Sequence, residues 1–356
     1  MALTLRQRTG LELQRSMRHT NAKLHPLRSL FWECTLRCNM NCRHCGSDCT
    51  MVPGVKDMPA EDFLKVIDSL IPHVNPNETF IIITGGEALL RTDLESVGLE
   101  LYRKGFPWGI VSNGYLLDKT RLESLIASGM HSITISIDGL EESHNWMRRT
   151  PQAFEKAMEA VRLLSAEREI LWDVVTCVNQ KNYTQLHDLK EMLIAAGVRH
   201  WRIFSVFAMG RAAGESELQL SNQQLKGLMD FIEDCRKHDS RIDVSYACEG
   251  FLGDYERKVR DHFFYCRSGI EVASIRCDGA ISGCTSVRSE MSQGNIYTDD
   301  FWDVWQNRFQ MMRDRTWAHK AQCATCKMWR YCEGSGLHLY DDNGELLTCH
   351  FNRLHN

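Results

Sequence analysis

Three cysteines in one short stretch carry the most specific chemistry in this sequence. Cys38, Cys42 and Cys45 are spaced C-x3-C-x2-C and follow an apolar run. Three thiolates on a four-iron cluster leave one iron without a protein ligand, whereas electron-transfer clusters usually take four cysteines. The spacing therefore predicts a [4Fe-4S] cluster whose open iron coordinates a cofactor or substrate. The alternative is a structural zinc site, which needs a fourth ligand from Cys34 or Cys49.

Polar turns follow the later apolar runs of the chain. Their glycines permit close approach of the backbone, their carboxylates accept hydrogen bonds from cations, and a guanidinium fork suits a carboxylate. Taken singly, each turn is also a common loop, and for the last two core packing is an equal alternative. These segments are Thr84-Gly85-Gly86-Glu87, Ser112-Asn113-Gly114, Ser136-Ile137-Asp138-Gly139, Arg148 with its neighbour Arg149, Val178-Asn179, and Met209-Gly210-Arg211-Ala212.

A regular alternation of strands and helices must position these turns. Helical spacing of apolar residues follows several of the strands, as in Phe63, Val66, Ile67 and Leu70, and a capping box at Ser221 predicts a later helix. We therefore expect an α/β fold, a (β/α)6 partial TIM barrel over residues 28–240, with its chemistry at the carboxyl ends of the strands. The predicted strands cover 30–36, 79–84, 108–112, 132–137, 172–178 and 201–207.

The two ends of the chain differ from this pattern. Residues 1–27 are predicted to form an amino-terminal helix or extension, in which Arg15 and Arg18, with Arg28 just beyond, suggest a solvated helix face. From residue 246 to 356 the alternation stops, and cysteines and glycines predict a second, cysteine-rich domain. Cys177 and Cys235 lie on apolar patterns and are expected to be buried, inert residues.

Composition narrows the classes of protein to consider. The chain has 356 residues, a formal net charge of -4 and fifteen cysteines. This charge indicates no nucleic-acid partner. We expect no signal peptide and no membrane span, and hence a cytoplasmic protein. In that compartment thiols stay reduced, so the cysteines predict metal ligands or buried residues rather than disulfides.

The cysteine triad, in a loop after the first strand and with these turns, resembles the radical S-adenosylmethionine (SAM) superfamily. The resemblance implies that the triad's open iron binds SAM and that Gly85, Gly86 and Glu87 receive its amino group. It also implies that Ser112, Asn113 and Asp138 lie near the cofactor. Ser136 and Arg148 correspond to the residues that bind the SAM carboxylate, with Arg149 as a rival. Reductive cleavage of SAM would give a 5′-deoxyadenosyl radical that abstracts hydrogen.

The carboxyl-terminal cysteines resemble the SPASM extension, which carries auxiliary iron–sulfur clusters. The resemblance assigns the distal auxiliary cluster to Cys323, Cys326, Cys332 and Cys349. The proximal cluster keeps Cys266 and Cys284, but Gly336 stands where the family has a further cysteine. Its site is therefore empty or completed by an unusual ligand, with Cys277 and Cys248 as candidates. A zinc ribbon is the alternative for the whole domain.

Most SPASM relatives modify peptides or proteins, so the resemblance implies a peptide or protein substrate. Thr285 and Thr84 depart from the sulfatase maturases, and the run Trp32-Glu33-Cys34 looks closer to a bacterial group encoded beside small lipoproteins. A small-molecule or cofactor precursor is the alternative substrate, and a non-catalytic electron carrier or zinc-bound module is a third class. An electron donor such as flavodoxin or ferredoxin is expected. No acid, base or radical-quenching residue can be assigned from sequence.

Overall fold

The computed structural model describes residues 3–247, 249–287, 291–341 and 343–355. A run of seven parallel strands makes up most of its sheet, side by side in the order of the chain. Each strand is buried on one or both faces, as expected for a parallel sheet covered by helices. The strands are β1 Ser29–Glu33, β2 Phe80–Thr84, β3 Trp108–Ser112, β4 Met130–Ser136, β5 Leu171–Val178, β6 His200–Ser205 and β7 Asp243–Tyr246.

Helices connect these strands through amphipathic faces. The apolar spacing predicted at residues 63–70 is confirmed, because Phe63, Val66, Ile67 and Leu70 are all buried. The capping box at Ser221 is also present, with Gln224 as its partner. The helices are α1 Leu5–Leu24, α2 Ala60–Leu70, α3 Leu94–Arg103, α4 Lys119–Ala127, α5 Glu141–Arg148, α6 Ala153–Ala166, α7 Leu186–Ala195, α8 Asn222–His238, α9 Phe301–Asn307, α10 Gln310–Arg313, α11 Trp329–Cys332 and α12 His350–His355.

The α/β partial barrel is confirmed, and the sheet extends beyond the six predicted strands. β7 pairs in parallel with β6 and lengthens the barrel by one strand. β8, Val272–Ile275, pairs in parallel with β1, and the antiparallel strands β9, Ala280–Ser282, and β10, Gly294–Asn295, follow it. The cysteine-rich region thus adds strands to the barrel sheet, so the boundary predicted at 246 does not coincide with a break in the sheet.

The amino-terminal helix packs against the cysteine-rich region. Glu12 accepts hydrogen bonds from Arg330 Nε at 2.6 Å and from Tyr331 Oη at 3.0 Å. Arg18 is only 4% exposed and forms an ion pair with Glu333. The expectation of a solvated basic face is therefore wrong for Arg18, because α1 buries this guanidinium beside the auxiliary cysteines.

In the part of the chain that the structure describes, none of the helices is both long and apolar enough to span a bilayer.

Candidate functional site

The cluster loop, residues 34–50, leaves β1 and contains the predicted cysteine triad. Cys38 and Cys42 are buried and pack with Cys49 and the half-buried Cys45. Cys34 lies instead in the main core. Among the described residues, no three cysteine sulfurs lie within 4.8 Å of one another. Three cysteines in one loop can ligate three irons of a four-iron cluster and leave the fourth without a protein ligand.

The glycine pair after β2 lies directly against the cluster loop. Gly85 has a φ of 149°, and a Cβ atom on Gly86 would lie 2.1 Å from the carbonyl oxygen of Arg37. The Gly86 N–H donates to the Thr35 carbonyl at 2.8 Å, and the Glu87 N–H donates to the Arg37 carbonyl at 2.9 Å. Glycine is required here because any side chain would separate the two loops.

The Glu87 carboxylate organises the turn after β3. It accepts hydrogen bonds from the Ser112 hydroxyl and the Asn113 backbone N–H, each at 2.8 Å. Burial raises the pKa of Glu87 above its ordinary value, while these donors favour its charged form. Asn113 Nδ2 then donates to Asn39 Oδ1 at 2.8 Å, within the cluster loop. Glu87, Ser112 and Asn113 are therefore brought together, with this carboxylate held by protein donors.

An ion pair beneath the triad joins Asp138 to Arg148. Arg148 Nη2 lies 2.6 Å from Asp138 Oδ2, and Nη1 lies 3.6 Å from the Cys42 sulfur. Burial disfavours the charge on Asp138, but Arg148 and His44 together hold its pKa below the ordinary value. Arg148 is buried, whereas Arg149 is exposed and ends α5 in a left-handed conformation. The structure thus turns Arg148, not Arg149, towards the cluster loop.

The turn after β6 holds the cluster loop from its other side. Arg211 Nε donates to the Cys42 carbonyl at 2.7 Å, and its Nη1 donates to the Cys49 carbonyl at 3.0 Å. A Cβ atom on Gly210 would lie 2.5 Å from the Cys45 carbonyl oxygen. In the segment predicted at 209–212, Arg211 therefore donates hydrogen bonds to backbone carbonyls for which the irregular cluster loop provides no regular partner.

A cavity of about 200 Å³ opens at the barrel mouth beside these loops. Thr84, Gly85, His44 and Cys177 line it, together with residues 204–207, 285 and 286. His44, Asp138 and Cys177 have ligand atoms within 4.8 Å of one another. Cys177 is only partly buried, so the expectation of a buried residue is wrong for it, although desolvation raises the pKa of its thiol; Cys235 is buried in α8, as expected.

His44 and Cys177 line this cavity, although their sequence positions did not predict a functional role. The signal for Cys177 was its position at the end of a predicted strand, where barrel chemistry belongs. Ser136, at the end of β4, is 9% exposed and lies two residues before the buried Asp138.

The four cysteines predicted for the distal cluster meet in one place. All four line a single small cavity, and their charges act on one another. Burial raises the pKa of Cys323 to about 11, with Cys349 and Cys326 adding to the effect. Metal ligation requires cysteines in the thiolate form, and four half-buried cysteines gathered around one cavity can supply a complete set of such ligands. The set of Cys323, Cys326, Cys332 and Cys349 therefore fits an iron–sulfur cluster.

The proximal pair lies apart from Cys277. Burial raises the pKa of Cys284, and the Cys266 thiol raises it further. Cys277 is instead influenced by Glu33, Asp278 and Asp57, on the barrel side. Cys248 lies outside the described residues. The structure thus brings Cys266 and Cys284 together without Cys277.

Two family models match this chain. The radical SAM superfamily matches residues 32–193, and SPASM, an iron–sulfur cluster-binding domain, matches residues 266–327. Together they cover more than half of the chain. The protein therefore belongs to the radical SAM superfamily and carries a SPASM domain. It is an enzyme that binds a [4Fe-4S] cluster with SAM, and its SPASM domain binds auxiliary iron–sulfur clusters.

Several known proteins are similar over most of the chain. An AdoMet-dependent heme synthase from Nitratidesulfovibrio vulgaris is 25% identical over 330 residues, 88% of each protein. The sporulation killing factor maturation protein SkfB of Bacillus subtilis is 25% identical over 279 residues, 76% of this chain and 64% of SkfB. The structure of Streptococcus suis SuiB bound to S-adenosylmethionine superposes with a TM-score of 0.67 at 17% identity, over 90% of this chain and 77% of SuiB.

We expect Arg148→Ala to weaken SAM binding. A charge-assisted hydrogen bond contributes about 1.5 to 3 kcal/mol, so the SAM dissociation constant should rise roughly 10- to 150-fold. Isothermal titration under anaerobic conditions measures this, with iron content as the check that the clusters remain. The exposed neighbour provides the control, Arg149→Ala, which should bind SAM normally. An unchanged dissociation constant in Arg148→Ala would remove Arg148 from the SAM site.

We expect Gly86→Ala to displace the cluster loop, because its Cβ would overlap the Arg37 carbonyl. Reconstituted protein should lose about four irons per chain, one cluster's worth. Gly54→Ala is the matched control, since nothing lies within 4 Å of a Cβ there. Equal iron content in the two variants would show that the glycine contact is unnecessary for cluster assembly.

Proposed function

We propose that Cys38, Cys42 and Cys45 hold the cluster that binds SAM, and that Arg148 fixes the SAM carboxylate. When bound, the cluster and SAM supply a 5′-deoxyadenosyl radical that abstracts hydrogen from a substrate C–H bond. Two facts support these roles: the triad is held by three neighbouring loops, and Arg148 Nε is buried with no hydrogen-bond partner. The open donor gives an incoming carboxylate a place to bind.

We further propose that the substrate is a peptide or protein. The observation that carries this proposal is an apolar rim directly after the cluster loop, where Met51, Val52 and Val55 are 60%, 87% and 38% exposed. The mouth cavity, lined in part by the cluster-loop residues His44 and Gly46, measures about 200 Å³ and is smaller than the roughly 300 to 1,000 Å³ typical of sites that enclose a whole ligand. A cavity of this size suits one side chain of a peptide, whose neighbouring residues would lie on the apolar rim.

Two similar proteins give this proposal further support. SkfB is named as a maturation protein, and Streptococcus suis SuiB has a structure bound to its precursor peptide SuiA, which superposes with a TM-score of 0.68.

A small-molecule cofactor precursor is the second candidate substrate. Cavities of about 400 and 270 Å³ adjoin the mouth cavity, sharing Met209 with it, and each is lined largely by apolar residues. Heme synthases are among the proteins similar over nearly the whole chain. This arrangement would enclose a compact apolar substrate between the barrel and the SPASM region.

We also propose a cytoplasmic setting with a reducing partner of the flavodoxin or ferredoxin type. SAM cleavage needs one electron for each turnover, and reduced thiols persist in that compartment. An auxiliary cluster provides a path for such an electron to pass through the SPASM domain.

Anaerobic protein with dithionite should cleave SAM to methionine and 5′-deoxyadenosine. The triple variant Cys38→Ala/Cys42→Ala/Cys45→Ala should lose this activity, because the open iron loses its ligands. Cys235→Ala, in the buried face of α8, is the control that should keep it. Liquid chromatography of the two products measures the result. Cleavage by the triple variant at the wild-type rate would contradict the proposal.

Substrate class is tested by adding candidates to the same reaction. Short peptides encoded beside the gene should increase 5′-deoxyadenosine formation at least tenfold, and the peptides themselves should change in mass. Iron coproporphyrin should neither increase 5′-deoxyadenosine formation nor change in mass. Val52→Asp should raise the peptide's KM without altering SAM cleavage in its absence, because the rim loses apolar contact area. Stimulation by the porphyrin alone would favour the second candidate.

A further inference from the structure

A basic cleft lies between the amino-terminal helix and the cysteine-rich region. It measures about 650 Å³, and α1, α10 and α11 contribute to its walls. Two carboxylates border it, Asp314 and Glu333, but Glu333 is already paired with Arg18 and hydrogen-bonded to His19. The cationic side chains that line the basic cleft are Arg15, Lys23, Arg313, Arg315 and Arg330. The basic cleft therefore carries an excess of positive charge.

One of these cations, Arg315, is buried without a carboxylate partner. It is only 3% exposed, and its Nη2 donates to the Ser335 carbonyl at 2.9 Å. Its Nε and Nη1 have no hydrogen-bond partner in the part of the chain that the structure describes. A buried charge is costly unless it is paired. Because Arg315 lines the basic cleft, an anionic group bound there would relieve this unpaired charge.

The other cations of the basic cleft are arranged to attract a large partner. Lys23 is exposed in the last turn of α1, and Arg15 is partly exposed on the same helix. Arg330 is also exposed, although it is paired with Glu12. Arg313 donates to three backbone carbonyls and so contributes charge rather than free donors. Accessible cations of this kind attract an acidic protein surface through long-range electrostatics.

Trp329 joins the basic cleft to the distal auxiliary site. This residue lines both the basic cleft and the small cavity that the four distal cysteines border. It belongs to the same short helix as Cys332, one of those four cysteines. Among the described residues, none lines both the basic cleft and the mouth cavity or the two cavities that adjoin the mouth. A molecule bound in the basic cleft would therefore lie beside the distal cluster rather than where the substrate enters.

We propose that the basic cleft binds an acidic one-electron carrier protein of the ferredoxin or flavodoxin type, which reduces the distal auxiliary cluster. This inference rests on the reducing partner proposed above and assigns the surface on which that partner binds. The carrier's iron–sulfur or flavin centre is oxidised by one electron and the distal cluster is reduced by one, with no bond formed or broken. Transient redox complexes bury little surface and depend on complementary charge, which the basic cleft provides next to a cluster.

Binding is tested on the full-length protein with its clusters, using an oxidised plant-type [2Fe-2S] ferredoxin as the probe. Biolayer interferometry should show that Arg15→Glu/Lys23→Glu raises the dissociation constant about tenfold or more, because the basic cleft then repels the acidic carrier. Raising the salt concentration from about 50 to about 500 mM should also weaken wild-type binding, since salt screens exposed charges.

The matched control is Lys65→Glu/Lys119→Glu, which changes the net charge equally at two exposed lysines of α2 and α4. This control should bind the ferredoxin as the wild type does. Equal dissociation constants for the wild type and Arg15→Glu/Lys23→Glu, or equal weakening in the two double variants, would overturn the proposal. A polyglutamate peptide that binds the basic cleft as tightly as the ferredoxin would also overturn it, in favour of a site for an acidic peptide segment.

Electron transfer is measured in the full chain carrying Cys38→Ala/Cys42→Ala/Cys45→Ala, so that SAM cleavage plays no part. After mixing with excess reduced ferredoxin, rapid-freeze EPR should show a reduced [4Fe-4S] signal. Adding Arg15→Glu/Lys23→Glu should slow its appearance about tenfold. Dithionite should give the full signal in both proteins, which shows that the distal cluster is intact. Binding without any reduction of the cluster would contradict the proposal. Dithionite-driven SAM cleavage by the wild type is a separate reading, so a failure of binding would leave the proposed reaction standing.

Discussion

The cluster loop carries three thiols on an irregular backbone, and the surrounding turns must hold that backbone in one conformation. The cluster loop has little regular secondary structure, so its carbonyl groups must find donors elsewhere. The turns after β2 and β6 supply them: Gly86 and Glu87 donate from one side and Arg211 from the other. The glycines at 86 and 210 exist to permit these approaches. The conformation of the cluster loop is thereby set by contacts with the turns at the strand ends, which the barrel brings together.

At the same edge of the sheet, two buried charged side chains form an ion pair. Asp138 is almost fully buried, and its charge is balanced by Arg148, which also contacts the Cys42 sulfur. Replacing one partner of such a pair leaves an uncompensated charge. The pair therefore links Arg148 to the stability of the cluster loop. In α1, the buried Arg18 is likewise paired, with Glu333 of the cysteine-rich region.

The barrel and its strand ends were predictable because hydrophobic runs and helical spacing are local signals. Six short segments were found from residue types and from the family resemblance, and the structure gathers Gly86, Glu87, Ser112, Asn113 and Arg148, from three of them, around one loop. Three features were not predictable. β8 joins β1 across more than two hundred residues, Arg18 is buried by a distant segment, and His338 fills space beside Gly336. Each depends on tertiary packing that sequence spacing does not encode.

The central claim is that an open iron at Cys38, Cys42 and Cys45 binds SAM directly. Electron–nuclear double resonance on dithionite-reduced protein tests this, using SAM labelled with ¹⁵N in its amino group and ¹⁷O in its carboxylate. The account predicts couplings from both labels to a cluster signal, and their loss in the variant without these three cysteines. A reduced cluster in the wild-type protein that shows neither coupling at saturating SAM would contradict it.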